Sequence, residues 1–172
     1  DPANAYELST IIRHGIDEMW GKNLDVFHYV MLYNENQQQM PKPDGSDIGI
    51  INGAYLIDEV GSEGPKVRLL GSGPILQYVR EAAQLLSTDH GVSSEVWSVT
   101  SYGELRRFGL DAERKTRLAP NEKHVPYVSE CFGDQTPTVA VSDFIASVPE
   151  MIHRWVGGPF VGLGQAGFGR PD

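Results

Sequence analysis

The stretch Lys66–Leu86, KVRLLGSGPILQYVREAAQLL, decides the fold. Val67–Leu70 reads as a buried strand and Gly71-Ser72-Gly73 as a tight turn. Pro74 opens a helix at its first position, where a missing N–H leaves no bond unmade. Ile75, Leu76, Val79, Ala82, Ala83 and Leu86 recur at helical spacing and form the expected buried stripe, and Gly91 ends the unit. A strand, a glycine-rich turn and a helix in that order build a parallel α/β sheet.

Downstream the same alternation continues. Val96–Val99 reads as the next strand, and Ser101-x-x-Glu104 as a capping box at a helix start. Asn121–Pro126 is a connector, and Tyr127–Phe132 fits either a short helix or a strand. Thr138–Val141 is a strand, with Ser142 or Asp143 expected to cap a helix running to about Trp155. Phe160–Leu163 is the last strand. The expected fold class is α/β: a mostly parallel sheet with helices on both faces and right-handed crossovers.

Upstream, Ala5–Trp20 is an amphipathic helix, with Leu8, Ile11, Ile12, Ile16 and Met19 on its apolar face and Gly21 as its stop. Val26–Tyr33, VFHYVMLY, reads as a strand buried on both faces. Asn34–Asp47 is a polar, proline-containing loop, Gly53–Val60 a short strand, and Gly61–Pro65 a second break.

Composition narrows the function classes. The 172 residues suit one domain, or one domain with an appendage. A net charge of −9 and the lack of a basic stripe argue against nucleic-acid binding. No apolar run approaches the ~20 residues that cross a bilayer. A single cysteine, Cys131, leaves no internal disulfide and no multi-cysteine metal site, which fits a reducing, cytoplasmic setting. The chain opens at Asp1-Pro2 and closes on a glycine-rich turn, and it is expected to be a fragment of something longer.

The chemical motifs are sparse. Gly162–Gly167 spells GxGxxG, but no helix or ribose-binding acid follows it, so a plain turn is expected. Gly71-Ser72-Gly73 offers backbone amides to an anion, with a tight βα turn as the simpler reading. The five histidines are scattered. His28 is expected in the core and His14 on a polar helix face, and no metal site is expected. Cys131 is expected as a small buried hydrophobe. Asn34-Glu35-Asn36 follows the expected strand directly, at the carboxyl edge where α/β sheets gather ligands, and it is the leading candidate for function.

Five stretches together resemble one family. They are DPANAYELSTIIRHGIDEMW, LYNENQQQMPKP, KVRLLGSGPILQYVREAAQLL, VWSVTSYGELRRFGLDAER and GLGQAGFGRPD. In this order, over nearly the whole chain, they are similar to the homodimeric type of pyruvate dehydrogenase, the thiamine-diphosphate-dependent, decarboxylating component of the pyruvate dehydrogenase complex. The resemblance implies a transketolase-like architecture. Residues 1–39 would end the middle, pyrimidine-binding domain with its last helix and strand. Residues 40–65 would connect, and 66–172 would form a truncated transketolase-type C-terminal domain.

It also implies a reaction of pyruvate metabolism, at the exit of glycolysis: decarboxylation of pyruvate and reductive acetylation of a lipoyl group. Thiamine diphosphate and Mg2+ would belong to the full-length parent and be held by segments outside this chain. Neither is expected on the isolated chain, which would be inactive alone. The implied partners are a second subunit of a homodimer and the lipoyl-bearing acyltransferase component. Asn34, Glu35, Asn36 and Gln38 are the substrate-proximal candidates. The family commonly has a histidine at Gln38 and an acid at Ala166, and glutamine cannot shuttle a proton at neutral pH. The alternative expectation is a stand-alone assembly or small-ligand α/β module without catalysis.

Overall fold

The computed structural model describes residues 1–34 and 36–167. Five strands form one sheet: β1 (Tyr55–Val60), β2 (Lys66–Gly71), β3 (Ser93–Ser98), β4 (Thr138–Ile145) and β5 (Phe160–Gln165), in the order β1-β3-β2-β4-β5. The β3, β2, β4 and β5 strands are parallel, and β1 adds an antiparallel edge. The expected mostly parallel α/β sheet is therefore the observed one.

Helices α1 (Ala5–Ile16), α2 (Asp47–Asn52), α3 (Ile75–His90), α4 (Tyr102–Leu118), α5 (Tyr127–Phe132) and α6 (Ser147–Glu150) surround it. Alternation along the strands assigns the two faces, because successive side chains point to opposite sides. Leu69 and Val96 pack with Leu76, Val79 and Ala83 of α3. Leu70 and Ala140 pack with Tyr102 and Leu105 of α4, Val128 and Phe132 of α5, and Ile152. Full burial of each such aliphatic side chain favours the fold by about 1.5–3 kcal/mol.

Several local expectations are corrected. Val26–Tyr33 is not a strand, and Phe27 and Tyr29 are 86% and 82% exposed. A strand needs a neighbour to complete its ladder of N–H and C=O groups, and among the described residues none lies beside this run. His28 is accordingly not a core residue. Its ring lies over Gly15, where a Cβ would come within 2.9 Å of Cδ2, and its Nε2 shares a 2.8 Å hydrogen bond with Glu18.

Ser142 and Asp143 cap no helix, because β4 runs through them to Ile145 with a register shift after Val141. The expected helix to Trp155 is instead the short α6 and a 3₁₀ turn at His153–Trp155. Ala82 is exposed and leaves the α3 stripe. Tyr127–Phe132 resolves as a helix. Ser101 Oγ accepts from the Glu104 N–H at 3.1 Å, while the Glu104 carboxylate takes Arg107 rather than the cap. The first glycines of GxGxxG lie inside β5, not in a turn. Side chains there would collide, since a Cβ on Gly164 would stand 2.4 Å from the Phe144 carbonyl and one on Gly162 2.8 Å from Glu150.

Candidate functional site

In the parallel part of the sheet the chain moves from β2 outward to β3, then returns past β2 to β4 and on to β5. The strand order reverses between β2 and β4, and the crevice outside their carboxyl ends is where open α/β sheets bind ligands. Ser72, just after β2, and Ser142, in β4, meet there through a 3.4 Å hydroxyl contact, and Ser142 Oγ also accepts from the Phe144 N–H at 3.1 Å.

The chain itself covers this crevice. Gly73 has a positive φ of 51°, and its N–H donates to the Asp1 carbonyl at 3.2 Å. A Cβ at Gly73 would lie 2.7 Å from Asp1 Oδ1 and 2.9 Å from Tyr33 Cε2, so glycine is required both by conformation and by this close approach. The turn amide that could have met an anion is thus used internally. Burial, and secondarily the Asp143 carboxylate, raise the Tyr33 hydroxyl above the ordinary tyrosine range.

Glu7 fastens α1 to the same edge. It is completely buried, and each carboxylate oxygen takes two donors. Oε2 accepts from the Ala3 and Asn4 N–H groups at 2.5 and 2.9 Å. Oε1 accepts from the Tyr55 hydroxyl at 2.5 Å and Ser98 Oγ at 2.6 Å. Tyr6 and Tyr55 hydroxyls share a further 2.7 Å bond. Burial first, and then the adjacent Glu7 charge, push the Tyr55 hydroxyl well above its usual range, so it remains a donor.

The polar loop then runs across the start of α3. Gln39 Oε1 accepts from the Ala5 N–H at 2.7 Å, and Asn4 Oδ1 accepts from the Met40 N–H at 3.4 Å. A cavity of about 30 Å³ remains between loop, α1 and α3, lined by Asn4, Gln37, Gln38, Met40, Gln77 and Arg80 among others. Of the sequence candidates, Gln38 reaches this cavity. Asn34 and Asn36 are exposed and do not line it, and Glu35 lies outside the described residues. Asn4 and Arg80 were not singled out by the sequence reading. Asn4-x-x-Glu7, a capping-box pattern at the start of α1, was the available signal for Asn4. Arg80 gave none.

No group of His, Cys, Asp or Glu side chains among the described residues could hold a metal ion. The 30 Å³ cavity is also far too small for a thiamine diphosphate. These residues alone do not fit that cofactor. Cys131 is half-buried and its thiol is raised by burial, the opposite of an activated nucleophile. Among the described residues no helix is long and apolar enough to cross a membrane.

Comparison with known sequences places this arrangement. A sequence model described as the transketolase-like TK C-terminal domain matches residues 53–172, from just before β1 onward. The chain belongs to the transketolase-like C-terminal domain family. Among curated relatives, the pyruvate dehydrogenase E1 component of Pseudomonas aeruginosa is 46% identical over 176 aligned positions, covering all of this chain and 20% of the relative. The E1 component of Escherichia coli K12 is 42% identical, and that of Mycobacterium tuberculosis 38%, again across the whole chain. The chain spans about 20% of the length of the first of these relatives. The edge strand β1 lies within the span shared with the transketolase-like family.

Proposed function

We propose that this chain works as part of a thiamine-diphosphate-dependent pyruvate dehydrogenase of the homodimeric type, which decarboxylates pyruvate and reductively acetylates a lipoyl group. In this reading the chain supplies scaffold, part of the contact with a second subunit, and one wall of the site. Thiamine diphosphate and Mg2+ are held by the rest of the full-length enzyme. The cofactor, when bound there, carries the carbanion chemistry, and protein groups supply position and electrostatics.

Residues 1–39 close the pyrimidine-binding domain and 40–65 lead into the C-terminal domain. Asn34, Glu35, Asn36 and Gln38 form the substrate-proximal wall, and the lipoyl-bearing acyltransferase is the partner. The setting is the cytoplasm.

The observation that carries this reading is identity of 42–46% with two E1 components along the whole chain, including the segment before the matched domain. A scaffold kept only for assembly would not need to hold the polar loop against the sheet's carboxyl edge, where Gln39 and Asn4 fix it. A hybrid tests the reading: the matching fifth of the Escherichia coli relative is replaced by these 172 residues. Pyruvate-dependent CO2 release and acetyl-lipoyl formation are expected. A folded, dimeric hybrid that does neither overturns the proposal.

A further inference from the structure

Met40 and Arg80 meet in an arrangement that a thioether serves poorly. Arg80 Nη1 donates to Met40 Sδ at 3.1 Å, and among the described residues no other methionine sulfur takes a hydrogen bond. A thioether is a weak acceptor. Arg80 Nε is buried and has no hydrogen-bond partner among the described residues. A buried donor left unmade costs the full desolvation of its group. Asp58 stands 3.6 Å from Nη2, at the long end of an ion pair, and leaves Nε and Nη1 without a strong acceptor.

Both side chains line the cavity of about 30 Å³ between the loop and α3. That volume is roughly one water's share of the liquid, so it admits one more oxygen atom and little else. Oxidation of the Met40 sulfur would put an oxygen there. A sulfoxide oxygen is a far better acceptor than a thioether sulfur. It also carries no net charge, so Asp58 beside Arg80 and Asp1 against Gly73 do not bar it as they would an anion. Met40 is half-buried rather than enclosed, so a small peroxide can reach it.

We propose that Met40 is a reversible oxidation site, and that its sulfoxide oxygen occupies this cavity and accepts from Arg80 Nε and Nη1. The step is a two-electron oxygen transfer from a hydroperoxide. A sulfur lone pair attacks the terminal peroxide oxygen, and the S–O bond forms as the O–O bond breaks. The proton of the attacked oxygen passes to the departing one, which leaves as water or an alcohol. Sulfur is oxidised and the peroxide reduced. Methionine oxidation commonly loosens packing, because an apolar side chain becomes polar. Here the new oxygen meets an unpartnered guanidinium, so oxidation tightens the hold of the loop ending at Met40 on α3. The oxidised sulfur is chiral, and Arg80 lies to one side of it, so one epimer makes the bonds. Methionine sulfoxide reductases, one enzyme per epimer, restore the thioether. The inference concerns this loop alone and does not require the reaction proposed above.

The test oxidises the 172-residue chain with hydrogen peroxide and locates the added oxygen by peptide mass spectrometry. Oxygen is expected at Met40 as well as at the exposed Met19. Met40→Leu nearly conserves the side-chain volume and reports what oxidation of the other methionines does by itself. Relative to that variant, oxidation is expected to raise the melting temperature of the parent chain by about 2–4 °C, the shift that one added hydrogen bond gives a chain of this size. Arg80→Gln removes the guanidinium from a partly exposed helix position and is expected to abolish this gain. The Arg80 Nε resonance is expected to move on oxidation. In the folded chain one sulfoxide epimer at Met40 is expected to be repaired at least tenfold more slowly than in the unfolded chain, and the other is not. No oxygen at Met40, a melting temperature that falls or rises no more than in Met40→Leu, a gain that survives in Arg80→Gln, an unmoved Arg80 Nε resonance, or equal protection of both epimers would each overturn the proposal.

Discussion

Glu7 shows how much one side chain organises at the edge of this sheet. Its carboxylate can only accept, and it meets four donors from α1's own start, β1 and β3. Glu7→Ala leaves the Tyr55 and Ser98 hydroxyls and two backbone amides without their acceptor in a closed space. Hydrogen bonds to charged groups contribute about 1.5–3 kcal/mol each, with partial relaxation expected here. The variant is therefore expected to lose about 3 kcal/mol in a urea titration, and a loss below about 1 kcal/mol would contradict the network.

Local sequence marks Glu7 as a polar position on an amphipathic helix and as the acid of an Asn4-x-x-Glu7 capping pattern, but not as a buried group. Its burial is created by Tyr55 and Ser98, 48 and 91 residues away, and no local pattern encodes such a meeting. Gln38 differs, because only the family resemblance singled it out, whereas position after the apolar run pointed to Asn34-Glu35-Asn36. That run is not a strand, yet Tyr33 still lies against the Gly73 turn and brings the loop there.

At the scale of elements, strands β2 to β5 and helix α3 were legible because their local and global signals agree. Val26–Tyr33 was not, because an apolar run says only that a neighbour is wanted, not that one is present. The contact between α4 and the 3₁₀ turn at His153–Trp155, on the same face of the sheet, carries a sharper test. Gly109 of α4 has the Trp155 ring where its Cβ would be, 2.4 Å from Cε2. Gly109→Ala gains about 1 kcal/mol of helix propensity. Overpacking of a closed contact costs about 1–3 kcal/mol, and here backbone and indole are both held. Trp155 Nε1 is tied to Glu113 at 3.0 Å, which limits retreat of the ring. The variant is expected to be less stable by about 1–2 kcal/mol in chemical denaturation, and a more stable variant would contradict the packing.

The amino ends of β2 and β3 carry the main pH dependence that the ion pairs predict. Arg68 is buried between Glu95 at 3.0 Å and Asp134 at 2.9 Å, and Lys66 reaches Glu95 at 2.6 Å. Burial alone would raise both carboxyl groups, but hydrogen bonds from Lys66, Trp97 and Arg68 to Glu95, and from Arg68 and Thr136 to Asp134, hold both below the ordinary range. Depressed carboxyl values add stability above the unfolded range of about 4. That contribution is lost as pH falls through the folded values. Replacing Glu95 by Gln is expected to flatten stability against pH below about 5. An unchanged profile by circular dichroism would contradict this account.

Across the whole molecule, two faces differ in kind. The sheet between α3 and α4 is closed, whereas Trp20, Phe27, Tyr29 and Leu32 expose a large apolar surface at 88%, 86%, 82% and 63%. Surfaces of that type mark contacts with other protein. This agrees with a chain that matches its relatives over about 20% of their length and with a proposed role inside a larger enzyme. The polar loop lies at the junction of these two regions, and in the proposed enzyme it carries the substrate-proximal residues. The measurement that tests this most directly compares the hybrid enzyme carrying these residues with its Gln38→His variant. Histidine restores a group able to transfer a proton near neutral pH, and general acid–base groups typically contribute 10²–10⁴-fold. Gln38→His is expected to raise turnover of pyruvate to acetyl-lipoyl at least about tenfold, with the melting temperature unchanged. Equal turnover in the two folded hybrids would contradict it.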